Sequence, residues 1–464
     1  MSFSSGYDLT RGNAAVNLIK FAGPFLLAFF LQILYGTVDV IAVGRFGGGS
    51  TDVSAVASGS EVMHLIASLI AGVTTGATVL IGQYYGAKDQ NNVSKCIGMT
   101  LSVSFLASIV LTAVMLIMLP HIVEWLNTPE EAYEKTMTYG RICSWGIVFI
   151  FGYNALSAIF RGLGNSTAPL IFVAIACVVN IIVDIVLVVI FQLGVTGVAI
   201  ATVLSQALSM VFAIIFLYRG NFGFHFKWHE FKIYWHLAWR YAKIGIPIGI
   251  QGIIVSLSFL FIFTIVNSMG IAASAGYGIC NKINGFAMLP AIGFSMAISA
   301  IAAQNIGANK PARALRTLWL GVGYTMAFGV VALIMMQCFP RFFVTCFLSP
   351  DSQNAEETIQ AAVGFLHSFS FEFILVPIVF CSNGFFNGCG RSFFSMANNV
   401  GGTFIVRVPA AWMLSRLPNA TLFEVGFAAP LASFVSNLVA LAYLWSGKWR
   451  KRNTTLTVIS DKLK

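Results

Sequence analysis

Six ionisable side chains, Asp39, Glu61, Asp184, Lys282, Glu372 and Arg407, sit inside long apolar stretches of this 464-residue sequence. Charge is expensive in such surroundings, so each of them is a functional candidate by default. Gln32, Tyr35 and Asp39 stand at i, i+3 and i+7, which places them on one helix face. Asn180 precedes Asp184 by one turn, again on a shared face. Two carboxylates and an amide oxygen are oxygen ligands suited to a hard cation, and a carboxylate in a poorly hydrated place equally suits a proton. Either arrangement makes a coupling site. A basic partner, or a wet vestibule, would instead make each aspartate structural.

The elements that carry these residues read as membrane-spanning helices. Of the sequence 58% is hydrophobic and 9% charged, whereas a soluble domain carries about 25% charged residues. A hydrocarbon core of about 30 Å needs roughly 20 apolar helical residues. The chain offers twelve such stretches, near 16–42, 54–81, 94–119, 138–160, 168–191, 195–218, 242–268, 272–302, 315–339, 360–386, 393–415 and 424–446. The alternation of a membrane β-barrel is absent, so the expected fold class is an all-α polytopic membrane protein. The polar start, Met1 to Asn13, lacks the charged leader of a secretory signal, and the first apolar stretch is too long for one; it is read as a retained helix.

Lysine and arginine are distributed unevenly between alternate connections. Twenty of the 27 fall on one side, and five, Arg45, Lys135, Arg141, Arg341 and Arg416, on the other. The positive-inside rule then puts both termini in the cytoplasm of a cell (inner) membrane protein, and an even number of spans follows. The net charge of +10 reads as orientation and attraction to anionic membrane lipid, not as a nucleic-acid surface. The eight cysteines lie mainly within spans with no zinc spacing, and read as small apolar core residues. Cys338 and Cys346 flank the outer end of the ninth span and have the option of pairing. His225, His229 and His236 fall in a basic, aromatic segment that suits a helix in the headgroup layer better than a metal site.

That segment lies at the midpoint of an internal repeat. Gln83-Tyr84-Tyr85-Gly86-Ala87 after the second span matches Gln304-Asn305-Ile306-Gly307-Ala308 after the eighth, and Arg161-Gly162-Leu163-Gly164 after the fourth is echoed by Asn387-Gly388-Cys389-Gly390 after the tenth. Pro24 and Pro247 fall at nearly the same offset. Each copy has six spans, so both halves share one membrane orientation, with a substrate path expected between them near the midplane. The expected division is a six-helix lobe over 1–221, a basic aromatic interfacial linker over 222–243, a second lobe over 244–447 and a basic cytoplasmic tail over 448–464.

Over nearly its whole length the sequence resembles the multidrug and toxic compound extrusion (MATE) family. The matching features are Pro24, the Asp39 to Gly44 stretch, both Gln-x-x-Gly-Ala loops, Arg161-Gly162-Leu163-Gly164-Asn165-Ser166, and Leu193 to Thr202 entering the sixth span. The resemblance implies a V-shaped pair of pseudo-symmetric lobes that alternate access and export organic, often cationic or amphipathic, compounds in exchange for H+ or Na+. It also implies roles. Asp39, Asn180, Asp184 and Thr202 match the cation site of the N-terminal lobe, with Na+ as the only metal in question. Gln32, Tyr35 and Asn154 match polar residues of the substrate cavity, and Pro24 matches the proline about which the first helix bends. The seventh span carries Gln251, Ser256 and Ser258 but no acid, which looks like the branch of the DNA-damage-inducible F proteins. Glu372 is a secondary candidate, with Arg407 or Lys282 as a possible partner.

The expected function is therefore an antiporter for a small-molecule substrate, with no cofactor and no obligate protein partner. A lipid or cell-wall precursor flippase is the alternative, although it would call for a more basic central cavity. An enzyme is disfavoured, because no span holds a catalytic cluster and no phosphate loop is present.

Overall fold

A computed structural model of the chain describes residues 6–47, 49–125, 128–220, 231–348 and 355–450. His225 and His229, and the tail beyond Arg450, lie outside the described residues. Within them the chain is nearly all helix, without strands. The helices are α1 (Ala14–Phe46), α2 (Ser50–Gly86), α3 (Gln90–Trp125), α4 (Glu130–Trp145), α5 (Ile147–Gly162), α6 (Thr167–Asp184), α7 (Gly194–Arg219), α8 (Trp235–Asn267), α9 (Ile271–Gly307) and α10 (Pro311–Cys338). They continue as α11 (Pro340–Thr345), α12 (Ala355–Phe369), α13 (Glu372–Gly388), α14 (Ser392–Gly401), α15 (Val408–Leu414), α16 (Leu422–Gly426) and α17 (Ala428–Trp445).

Nine of the described helical runs are long and apolar enough to cross a membrane, and two bent pairs supply further spans. The fourth expected span is the pair α4 and α5, bent by 47°, and the tenth is α12 and α13, bent by 53°. Gly146 stands at the first break with right-handed helical dihedrals, and it leaves room for Val203 on α7, whose Cγ2 would lie 2.5 Å from a Cβ there. The eleventh expected span is a helical run from Ser392 to Leu414, α14 and α15 joined through a π-helical turn, Gly402–Arg407. Large apolar side chains such as Leu27, Phe30, Leu34 and Ile41 on α1 stay exposed. In water such a face would be a liability; in a bilayer it is the lipid surface.

The chain divides into two compact units. The first consists of Ile19–Gly249 with Ala303–Asn309 and the N-terminal segment to Gly12; the second takes residues 13–18, Ile250–Ala302 and the chain from Lys310 onward. In the first unit α2 packs on α4 and α5, and α6 on α7. The start of α8 also packs there, through two glycine pairs of the small-xxx-small type: a Cβ on Gly72 would lie 2.5 Å from the Gly249 Cα, and one on Gly76 2.9 Å from the Gly245 amide nitrogen. In the second unit α10 packs on α13, α12 on α16 and α13 on α17, around a core that includes Tyr277, Phe365, Phe369 and Phe373.

The repeat is written in the backbone as well as in the sequence. Lys88 and Asn309, one residue past the two Gln-x-x-Gly-Ala loops, both turn left-handed, at φ 60° and 59°. Gly164 and Gly390, the last residues of the paired-glycine motifs, do the same, as do Gln192 and Asn419 further on. Hydrogen bonds repeat too: Asn165 N donates to Phe160 O at 2.8 Å and Arg391 N to Phe386 O at 2.8 Å, the six-to-one bond of a Schellman C-cap. The first pair of loops meets within the first unit by a reciprocal contact. A Cβ on Gly86 would fall 2.7 Å from the Gln304 carbonyl carbon, and one on Gly307 2.7 Å from that of Gln83. Gln304 then ties in the chain start, accepting from Leu9 N at 3.0 Å and donating to Gly162 O at 3.0 Å.

Candidate functional site

Asp39 lies two turns before the end of α1, and Asp184 is the last residue of α6, where a π-helical turn, Ile185–Ile190, begins. Such turns hold one residue more than an α-turn and often mark functional positions. Asp39, Asn180 and Asp184 are 5%, 1% and 0% exposed, deep enough to make bare charge costly. The fold brings the three side chains face to face. Yet Oδ1 of Asp39, both oxygens of Asp184 and both amide atoms of Asn180 have no well-formed hydrogen bond within the protein. No Lys or Arg is among the charged neighbours of either aspartate. The possibility of a basic partner, open at the level of sequence, is thereby removed among the described residues. Converging, unpartnered hard oxygens fit a small cation by the chemistry of the donor set.

Thr202 lies on α7, which packs on α6, and its hydroxyl is likewise buried without a partner. Tyr35, one turn before Asp39, is an electrostatic neighbour of Asp39, Tyr153 and Cys177. Asn154 is half-buried and turns its amide back onto its own helix, donating to Ile150 O at 2.8 Å. Gln32 is exposed on α1. Pro24 sits within α1, which continues past it as one helix.

Three buried neighbours of Asp39 escaped the sequence, one of them Cys177 on α6. Tyr139 and Cys143 on α4 are both close neighbours of Asp39 and are 3% and 2% exposed. Their i, i+4 spacing marks one helix face. The Tyr139 ring lies against α2 where Gly59 leaves room for it, and its hydroxyl pairs with Ser60 Oγ at 3.2 Å.

Two of the secondary candidates, Glu372 and Arg407, are neighbours in the second unit. Glu372 stands in the first turn of α13, where the helix dipole favours an acid, and accepts from Ser433 Oγ at 2.6 Å. Arg407 is its charged neighbour, but the direct pairing considered from sequence is not made: Oε2 of Glu372 and Nε of Arg407 are both buried without partners. The Arg407 guanidinium instead stacks over Phe259, 4.5 Å from the ring centre. Lys282 and Glu61 are exposed. Cys338 and Cys346 are free thiols, and His236 packs edge-on against Tyr234 at 6.4 Å.

With this geometry in hand, the similarity to known proteins is informative. The MatE family profile matches the chain twice, over residues 24–186 and 247–413, once in each half. A probable multidrug resistance protein of Bacillus subtilis, YoeA, is 28% identical over 442 residues, covering 94% of both chains. A probable multidrug resistance protein of Thermotoga maritima, NorM, is 24% identical over 459 residues, covering 94% of this chain and 93% of its own. Among solved structures, an outward-facing MATE transporter of the MOP superfamily superimposes with a TM-score of 0.88 at 20% identity, covering 97% of this chain and 98% of that one. A Pyrococcus furiosus transporter of the same superfamily, whose reversed pocket polarity is taken to suggest a different function, fits equally well, with a TM-score of 0.88 at 20% identity and coverage of 97% and 98%.

Proposed function

This chain belongs to the MatE family of membrane transporters, and we propose that it is an antiporter exporting organic, cationic or amphipathic compounds in exchange for H+ or Na+. The family makes it a transporter of small molecules, not an enzyme. The observation that carries the antiport reading is the buried set Asp39, Asn180 and Asp184, whose side chains face one another with their oxygens, Oδ2 of Asp39 apart, in no well-formed hydrogen bond. These residues, with Thr202, hold the coupling cation. Gln32, Tyr35 and Asn154 lie on the elements next to it and contact substrate. Pro24 weakens α1 because it lacks an amide donor, so the helix bends there. The relatives named as multidrug resistance proteins favour organic substrates.

Coupling requires that the two ligands prefer different states. A cation arriving from outside neutralises the acid pair and disfavours the substrate-loaded, outward-open state, so substrate leaves. The seventh span offers Gln251, Ser256 and Ser258 but no acid, which supports a place beside the DNA-damage-inducible F branch, with coupling in the N-terminal half. The charge asymmetry favours a cell-membrane protein with both termini inside.

The test is reconstitution into vesicles carrying either an imposed pH gradient or an imposed Na+ gradient, scored by export of a fluorescent organic cation. One gradient drives export by the native protein, and Asp39→Asn abolishes that drive. Gradient-driven export at the native rate in Asp39→Asn would overturn the assignment.

A further inference from the structure

A second feature of the first unit lies two helical turns from the acids. The end of α1, the starts of α2 and α7 and the first half of α4 border an open pocket of about 600 Å³, lined among others by Phe46, Gly47, Asp52, Lys135, Gln192 and Val195. In the orientation set by the charge asymmetry this is the outer end. Asp52 is 3% exposed and forms an ion pair with Lys135, whose side chain is 46% exposed. The Asp52 carboxylate is seated between two glycines: a Cβ on Gly47 would come within 2.9 Å of its Oδ2, and one on Gly194 within 2.8 Å. One ion pair therefore gathers the end of α1, the start of α2, α4 and the start of α7.

Both helices that carry the acids lead to this pocket. α1 runs from Asp39 to Phe46, and the chain after Asp184 runs through the π-helical turn to Gln192. Between pocket and acids lies one apolar layer, Val43, Val188, Val195 and Val198, each 0–4% exposed. These valines share a cluster with Tyr139 and Cys143, the neighbours of Asp39, and Val195 belongs to both the pocket wall and the cluster. Val43 is one turn beyond Asp39 and Val188 one turn beyond Asp184, so the layer is about 5 Å thick.

We propose that this pocket is the outer vestibule from which a small monovalent cation reaches Asp39 and Asp184, with the valine layer as its seal and the Asp52–Lys135 pair as its clamp. The inference rests on the coupling role proposed above for the two aspartates. The cation arrives hydrated among Asp52, Glu134, Thr138 and Gln192, which offer oxygens. It meets one apolar turn thin enough to open by a local movement. The π-helical turn is suited to that movement, since its extra residue can pass along the helix and rotate Val188 by about 100°. Substrate takes no part in this route.

Two native cysteines make the route testable. Both thiols are neighbours of Asp39, but Cys143 lies in the seal cluster, whereas Cys177 is two turns before Asp184, on the stretch of α6 away from the pocket, with its thiol against Leu31 O. Reconstituted protein is exposed from outside to the cationic reagent aminoethyl methanethiosulfonate, and modification of each peptide is followed by mass spectrometry. Cys143 is expected to react before Cys177. Val188→Ala and, separately, Lys135→Gln are expected to speed Cys143 modification about tenfold with Cys177 little changed. Val188→Leu, which thickens the seal and leaves Asp52 paired, is expected to slow it, and serves if the other variants do not fold. Equal rates in native protein and all folded variants, or Cys177 reacting first, would overturn the vestibule. Gradient-driven export by Asp39→Asn is scored in parallel. Native export there together with the expected labelling would sink the coupling role and leave the vestibule standing; lost export with unresponsive labelling would do the reverse.

Discussion

The reciprocal loop contact gives a prediction in which two effects of known size oppose each other. Gly86 and Gly307 are each the last residue of a long helix. Replacing a helical glycine by alanine ordinarily stabilises by up to about 1 kcal/mol, because the unfolded chain loses freedom. Here the new Cβ would sit 2.7 Å from a carbonyl carbon, Gln304 for Gly86 and Gln83 for Gly307, where ordinary contact begins at 3.4 Å. The obstructing atoms are backbone, held by Gln304 bonds to Leu9 and Gly162, so neither loop yields without moving its helix. Overpacking of this kind costs about 1–3 kcal/mol. The clash wins, and Gly86→Ala and Gly307→Ala each lower apparent thermal stability in detergent. Because both press on the same interface, the double variant loses less than the two single losses together. Gly285→Ala is the control: it lies inside α9 with nothing within 4 Å of its Cβ position, and it raises stability slightly. The assay is thermal unfolding followed by size-exclusion fluorescence. A Gly86→Ala protein as stable as Gly285→Ala would refute the reasoning, since it would mean that the loops are not in contact.

Other consequences follow from single side chains. Asp184→Asn removes one of the two facing carboxylates and should abolish gradient-driven export while leaving binding of a fluorescent substrate measurable by equilibrium titration. Ser433→Ala deletes the hydroxyl that donates to Glu372 at 2.6 Å; leaving a buried carboxyl oxygen without its donor costs about 1–3 kcal/mol, read as a drop in thermal stability. Thr421 and Glu424 form a capping box at the start of α16, with Phe423 N donating to Thr421 Oγ1 at 3.2 Å and Thr421 N to Glu424 at 2.7 Å. Thr421→Ala should cost about 1 kcal/mol and raise hydrogen exchange at the first turn of the last span.

Much of this protein is local in origin and so is legible in the sequence. Lipid cannot satisfy a bare amide, which forces each apolar run to be a helix and makes spans countable from composition. The repeat was equally open to reading, because the same loop residues demand the same left-handed turns, at Lys88 and Asn309 and at Gly164 and Gly390. Spacing along one helix also put Gln32, Tyr35 and Asp39 on one face, and Asn180 with Asp184 on another.

Which faces meet was for tertiary structure to decide, because a period of 3.6 residues says nothing about the partner across the gap. Only packing shows that the α1 and α6 faces converge, that Tyr139 and Cys143 close in from α4, and that Gly72 and Gly76 receive Gly249 and Gly245. Packing also separates the two halves chemically. The position matching Asp39 in the second half is Ile262, which lies in an apolar core with Tyr277 and Phe365. The π-helical turn recurs there, as Gly402–Arg407, but no aspartate precedes it. The sequence determined the scaffold twice over, through rules that act within one helix; the buried cluster of Asp39, Asn180 and Asp184 occurs once among the described residues, because it needs side chains from separate helices to face the same point.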